Sequence, residues 1–457
     1  MAAQAEALST VATSEQPAAG VLCRYVREAV QARLDTLHGL PDDAPFSLSI
    51  TLPDSLLAGA PLAGEVQWFV PQGAFSLRAL GAVQRQASIA EYRQLRARWR
   101  ALEAAAPLSF FSLGAATDSV QRLDLWQPEI LLRRDAQGDT LTLCALRAGR
   151  SAAAVLDRWL ALLPGLFEAD PAPSAHSFQA ASAPLIETAQ TRPPAADWLA
   201  QVRATRAAIA AGRLDKAVLA RRLQVQLAQP VALFALLARL RQDYPDCHVF
   251  SLPHARGQVV AATPELLARR RGGELLSCAI AGTLKQGEGD RAGAQAIAAF
   301  LASPKERREH ALVVEDIRRR MQPLCANVEH DAVPALLPLR FVQHLCTRVR
   351  GRLHPGHDVL DAALALHPTP AVLGAPLESA RAWLAALGER RDGLYTGVAG
   401  WLDAQGDGEA VVVLRAAYLE GTKAVLWAGA GIMADSDPDA ELAETELKLQ
   451  TMLEALG

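Results

Sequence analysis

The run KAVLARRLQVQL, residues 216–227, alternates between two kinds of side chain, with Leu219, Leu223, Val225 and Leu227 among its apolar positions. That period of two is the mark of a strand with one buried face. HVFSL, GQVVAAT, LLARRR and ELLSCAIAG follow in close succession, and the last two meet at Gly272 and Gly273, a glycine pair suited to a two-residue hairpin turn. Strands joined this tightly run antiparallel. The helical stretches around them need a surface to cover, so the region reads as antiparallel sheet with helices packed on it.

The helices announce their own ends. DWLAQVRATRAAIAAG places Trp198, Val202 and Ile209 at helical spacing and closes on Gly212, a residue suited to the position just past a helix. Ser303, Pro304 and Glu306 fit an N-cap, a first-turn proline and the acid of a capping box. Val313, Val314, Ile317, Met321 and Leu324 then share one face, with Glu309 at its edge. A last helix opens at Pro438. Leu442, Leu449, Leu453 and Leu456 make its core stripe, and Glu441, Glu444 and Lys448 form a polar stripe beside it.

Residues 1–185 carry strand-like and helical patches, among them FSLSITL at 46–52, a charged helical stretch around 90–105 and TLTLCAL at 140–146, but no recognisable chemistry. A segment rich in Pro, Ala and Ser from Asp170 to Pro194 reads as an exposed connection. The expected division is a disordered tail over 1–20, an N-terminal part of the sheet system over 21–185 and a catalytic core over 186–457. With 51% apolar residues the chain can bury a large core, and a net charge of −3 provides no basic field for nucleic acid. The six cysteines show no metal-ligand spacing, and no run is long and apolar enough for a membrane span. A cytoplasmic protein without nucleic-acid or membrane partners is expected.

The chemistry lies in a series of short motifs. In order the chain reads KAVLAR at 216, ATPELL at 262, AIAGT at 279, KERREH at 305, QHL at 343, LHPTPAVLGAP at 366, LYTGVAGW at 394, VLRAA at 413 and AGAGIMADSDPDAELAETELK at 428. Each is weak alone. Together, in this order, they resemble the shared core of the chorismate-utilising enzymes: isochorismate synthase, salicylate synthase, anthranilate synthase component I and aminodeoxychorismate synthase. The resemblance implies an α+β fold of the anthranilate synthase component I kind, an α/β sandwich of two intertwined subdomains whose antiparallel sheets pack face to face with helices outside.

It also implies a site. Lys216 matches the family's general base and Glu265 its general acid, a pair that must work away from their free pKa values. Glu309 and Glu444 match two magnesium-binding glutamates, and Glu306 and Glu441 could face the same ion through water. Magnesium takes oxygen ligands and keeps several waters, which suits such a set. Read without the motifs, these four are ordinary helix charges, with Glu444 and Lys448 as an i,i+4 pair. Tyr395, Arg415 and Lys448 match positions that hold the enolpyruvyl carboxylate, and an Arg fork suits that task. Gly429 in AGAGI would let the backbone approach that carboxylate or serve a tight turn between strand and helix. Gly282 and Thr283 match the site of the ring carboxylate, and His344 a residue of the ring pocket.

Within the family, Ala281 stands where common aminodeoxychorismate synthases carry a nucleophilic lysine, and His367–Ala371 departs from the anthranilate synthase pattern. Ammonia chemistry and a glutaminase subunit are therefore not expected. Gly400–Glu409 resembles isochorismate synthases more than salicylate synthases. The expectation is a monomeric, Mg2+-dependent isomerase converting chorismate to isochorismate for siderophore, salicylate or menaquinone biosynthesis. Salicylate synthase is the alternative, and a non-catalytic chorismate-binding relative a more distant one. Departures from the common pattern are Ala220 for Ser, Glu306 for Asp and Leu442 for an aromatic, none of them a reacting group.

Overall fold

The computed structural model describes residues 18–31, 44–57, 60, 62–73, 75–100, 108–115, 117, 122–167, 186–285, 290–391 and 394–457. The alternating run at 216 is a strand over Lys216–Leu227, with Ala217, Leu219, Leu223, Val225 and Leu227 buried under helices. Its other face turns Lys216 and Val218 into a cavity. Glu274–Lys285 follows Leu266–Arg271 through Gly272 and Gly273, both at positive φ (56° and 93°), as the two-residue hairpin requires.

The described strands form a twelve-stranded and a ten-stranded sheet, and their pairings are antiparallel. The sheets pack on each other through a core in which Trp68, Phe250 and Ala261 of the larger meet Phe110, Trp401 and Val411 of the smaller. Helices cover the outer faces. Ala195–Ala210 and Pro304–Met321 lie over one core, while Leu233–Asp243 and Pro438–Leu456 lie over another. This is the two-sheet α+β arrangement expected from the motifs.

Strands from before residue 186 enter both sheets. Ser109–Leu113 pairs with Val398–Leu402 in the smaller, and Val66–Phe69 pairs with His248–His254 in the larger. The N-terminal stretch is thus woven into the catalytic core and does not sit beside it.

Three local expectations change. Ala18–Gly20, assigned to a tail, begin the helix Ala18–Gln31, whose Leu22, Val26 and Val30 are buried. Residues 1–17 lie outside the described residues. Within the supposed connection, Ile186–Arg192 is a strand on the far edge of the Lys216 strand, while 170–185 lie outside the described residues. Its sequence IETAQTR has exposed side chains and no apolar alternation, so the pattern hid it. The AGAGI glycines are not in a turn: Gly429 and Gly431 lie within the strand Lys423–Ile432. No helix among the described residues is long and apolar enough to cross a membrane.

Candidate active site

A cavity of about 720 Å³, counting its open mouth, lies between the sheets. Lys216, Glu265, Gly282, Thr283, Glu309, His344, Tyr395, Arg415, Gly429, Glu444 and Lys448 all line it. Eleven of the thirteen residues singled out from the sequence therefore converge there. Glu306 and Glu441 do not line it and stand behind its acidic wall.

The two sheets supply opposite walls. Lys216 comes from the first residue of its strand, with its side chain 1% exposed, and its Nζ donates to Glu309 Oε1 at 2.8 Å. Glu309 is carried by the Pro304–Met321 helix, whose N-cap Ser303 accepts from the backbone N–H of Glu306. The reciprocal half of the expected capping box gives way to the site: the Glu306 carboxylate accepts instead from the backbone N–H of Thr283. Beside it, Pro438–Leu456 is capped by Asp437 and presents Glu444 and Lys448, paired with each other, with Lys448 Nζ also donating to the Gly429 carbonyl at 2.8 Å.

The Gly282–Thr283 step is a β-bulge, where the ladder to Val342–Leu353 shifts between Ala281 and Leu284. Gly282 has φ +72°, a left-handed conformation that glycine adopts without cost. The bulge aims Thr283 at both acidic helices: its N–H serves Glu306 and its hydroxyl serves Glu444. At Gly429 the requirement is room. A side chain there would come within 3.0 Å of the Tyr395 hydroxyl.

Burial sets the protonation states. Glu265 is 5% exposed, and desolvation raises its carboxyl to about 8, against the lowering pull of Lys216 and Lys448. His344 is pushed down to about 3 by burial and by Arg415 and Lys448, so it is neutral. Its Nδ1–H donates to the Gly282 carbonyl at 2.8 Å, and its Nε2 accepts from Arg415 Nη2 at 3.0 Å. His344 thus links the bulge to the arginine. Arg415 itself sits at φ +48°, a strained position for a side-chain-bearing residue. Burial raises Tyr395 to about 12, keeping its hydroxyl as a donor.

The acidic wall fits a hard cation by its donor set, which is carboxylate oxygen throughout. Burial and then the charges of Glu309 and Glu444 raise the Glu306 carboxyl. Burial and then Glu444 raise Glu441 to about 7, although Lys305 Nζ bonds it at 2.9 Å. A divalent ion beside these carboxyls would offset the mutual repulsion of their charges. Among the described residues no three His, Cys, Asp or Glu side chains gather to hold a metal by themselves.

The motifs passed over several cavity residues. Trp427 lines the cavity and stacks on Tyr395 with ring centroids 5.2 Å apart. It shares a strand face with Gly429 and Gly431, a period-two signal that could have found it. Val218, Ile280 and Thr396 also line the cavity, and only their strand or loop placement reveals them.

This two-sheet fold gathers Lys216, Arg415, Lys448 and the carboxyls of Glu265, Glu309 and Glu444 in one cavity, an arrangement suited to an enzyme acting on a small anionic molecule. The chain belongs to the chorismate binding enzyme family, whose model matches residues 81–457. It is 39% identical over 290 residues to a putative isochorismate synthase of Aeromonas hydrophila, covering 63% of this chain and 73% of that one. Among solved structures it is similar to the menaquinone-specific isochorismate synthase MenF of Escherichia coli, with a TM-score of 0.77, 28% identity and coverage of 94% of this chain and all of that one. Anthranilate synthase component I from Streptococcus pneumoniae shares the fold, with a TM-score of 0.59 at 22% identity, covering 92% of this chain and 85% of that one.

Proposed function

We propose that the protein is an isochorismate synthase, converting chorismate to isochorismate by adding water at C2 as the C4 hydroxyl leaves. The observation that carries this reading is the convergence of Lys216 and Glu265 on one cavity, with burial raising the Glu265 carboxyl to about 8. Glu265 holds the proton that the departing C4 hydroxyl needs. Lys216 accepts the proton of the attacking water, and its partner Glu309 fixes the direction of its amine. Tyr395, Arg415 and Lys448 hold the enolpyruvyl carboxylate. Gly282 and Thr283 receive the ring carboxylate, and neutral His344 keeps Arg415 in place.

Glu309 and Glu444 would hold a magnesium ion, which when bound would supply charge neutralisation and Lewis acidity to the site. Glu306 and Glu441 support that pair from behind the wall. We place the enzyme in the cytoplasm as a monomer using water in place of ammonia, without a glutaminase subunit, and feeding siderophore, salicylate or menaquinone biosynthesis.

The test is chromatography of products from purified protein incubated with chorismate and Mg2+. Isochorismate is expected, and EDTA should abolish its formation. Salicylate with pyruvate would instead make the protein a salicylate synthase, and a lack of turnover would make it a binding protein. Glu444→Ala should shift the magnesium titration to higher concentration or remove activity, and an unchanged titration would reject Glu444 as a ligand.

A further inference from the structure

Under the cavity lies a buried ion pair that belongs to none of the motifs. The Arg391 side chain is fully excluded from solvent and pairs with Glu389 at 2.8 Å. Its guanidinium also donates to the Val218 carbonyl at 2.6 Å, the Val372 carbonyl at 2.5 Å and the Thr396 hydroxyl at 3.2 Å. All three acceptor residues line the cavity, and each comes from a different segment. Glu389 adds a fourth tie by accepting from the backbone N–H of Ala220 at 3.0 Å.

The grip reaches Tyr395 by two routes. The Thr396 hydroxyl donates to the Tyr395 carbonyl at 2.6 Å, and the guanidinium carbon lies 5.9 Å from the Tyr395 ring centroid. Thr396 has φ +61°, which a β-branched residue adopts only where its surroundings over-determine it. Arg391 supplies one hold, and His367 Nε2–H, donating to the Thr396 carbonyl at 2.8 Å, supplies another. A planar fork with five donors can serve this many acceptors, whereas an ammonium cannot reproduce the geometry.

We propose that Arg391 is a positioning residue: by clamping the 216–227 strand, the loop at Val372 and the strained turn at Thr396, it fixes the Tyr395 hydroxyl where the substrate's carboxylate is to be held. This rests on reading the cavity as the chorismate site.

A double-mutant cycle of Arg391→Lys with Tyr395→Phe tests it. Arg391→Lys should raise KM for chorismate about tenfold or more and change kcat by less than about threefold. The double variant should be no worse than the more damaged single one, because both changes remove the same contact. A merely structural role would lower Tm and kcat through lost active protein, leave KM unchanged and give effects that multiply. Either an unchanged KM or multiplying effects overturns the proposal. If Arg391→Lys fails to fold, Glu389→Gln, which leaves the guanidinium in place without its counter-charge, enters the same cycle with the same criteria. Reading the cycle also as chorismate dissociation constants by calorimetry separates the two claims. Coupled binding without turnover would sink the isochorismate synthase reading alone, uncoupled binding with turnover would sink the clamp alone, and no binding by the wild type would sink both.

Discussion

Burial holds the Glu265 carboxyl protonated to about pH 8, and that has opposite effects on stability and catalysis. The folded state keeps a proton that the unfolded chain releases near pH 4.5, so stability should decline from about pH 4.5 to about pH 8 and level off above. Glu265→Gln imitates the protonated acid. Thermal melts should show it more stable than wild type at pH 8.5 and equal to it at pH 4, while turnover falls by about a hundredfold or more. The kcat/KM of the wild type should drop above about pH 8 as this acid is lost, and a profile flat to pH 10 would remove it from the mechanism. Gly431 offers a steric test. A methyl there would lie 2.5 Å from Glu309 Oε1 and 2.7 Å from Lys216 Cε, so Gly431→Ala should cut turnover about tenfold or more with little change in Tm. Lys216 and Glu265 were legible because the motif series fixed their family positions. Arg391 was not, since the carbonyls of Val218 and Val372 that it grips lie far from it in sequence and no spacing along the chain encodes them.

At the scale of single elements, local signals served well wherever one face is buried. The Lys216–Leu227 strand keeps the bounds its alternation implied, and Ser303 caps the Pro304–Met321 helix as its sequence promised. Ser303→Ala should cost about 1 kcal/mol in denaturant unfolding, as lost N-caps typically do. Because Glu306 and Glu309 lie in the first two turns, the same variant should also weaken the response to magnesium, measured as a rightward shift in its activation curve. Two elements escaped the sequence for physical reasons. AIAGT looks like continuous strand, yet the bulge at Gly282 is a property of pairing with the neighbouring strand. The edge strand Ile186–Arg192 buries almost nothing, so no apolar period marks it.

Across the whole molecule the sheets are tied by charge as well as by apolar packing. Glu409 of the smaller sheet meets His248 of the larger at 3.2 Å and also bonds Arg269 and Arg271. Burial alone would raise its carboxyl, but His248 and then the two arginines hold it down at about 2. Its contribution is therefore complete above about pH 4.5 and is lost as pH falls toward about 2. Glu409→Gln should cost about 2–3 kcal/mol at neutral pH in denaturant unfolding and flatten the acid limb of the stability curve. The antiparallel, helix-covered architecture was legible from the hairpins. The weaving was not, because register between strands far apart in sequence leaves no local mark. Phe111 lies opposite Gly400, so the Ser109–Leu113 strand has no permanent neighbour on that side until the Val398–Leu402 strand has been synthesised. Such late closure makes folding slow and leaves an aromatic, half-made sheet edge open to other chains in the meantime. Soluble yield on expression should accordingly rise when synthesis is slowed by cooling or when holdase chaperones are supplied.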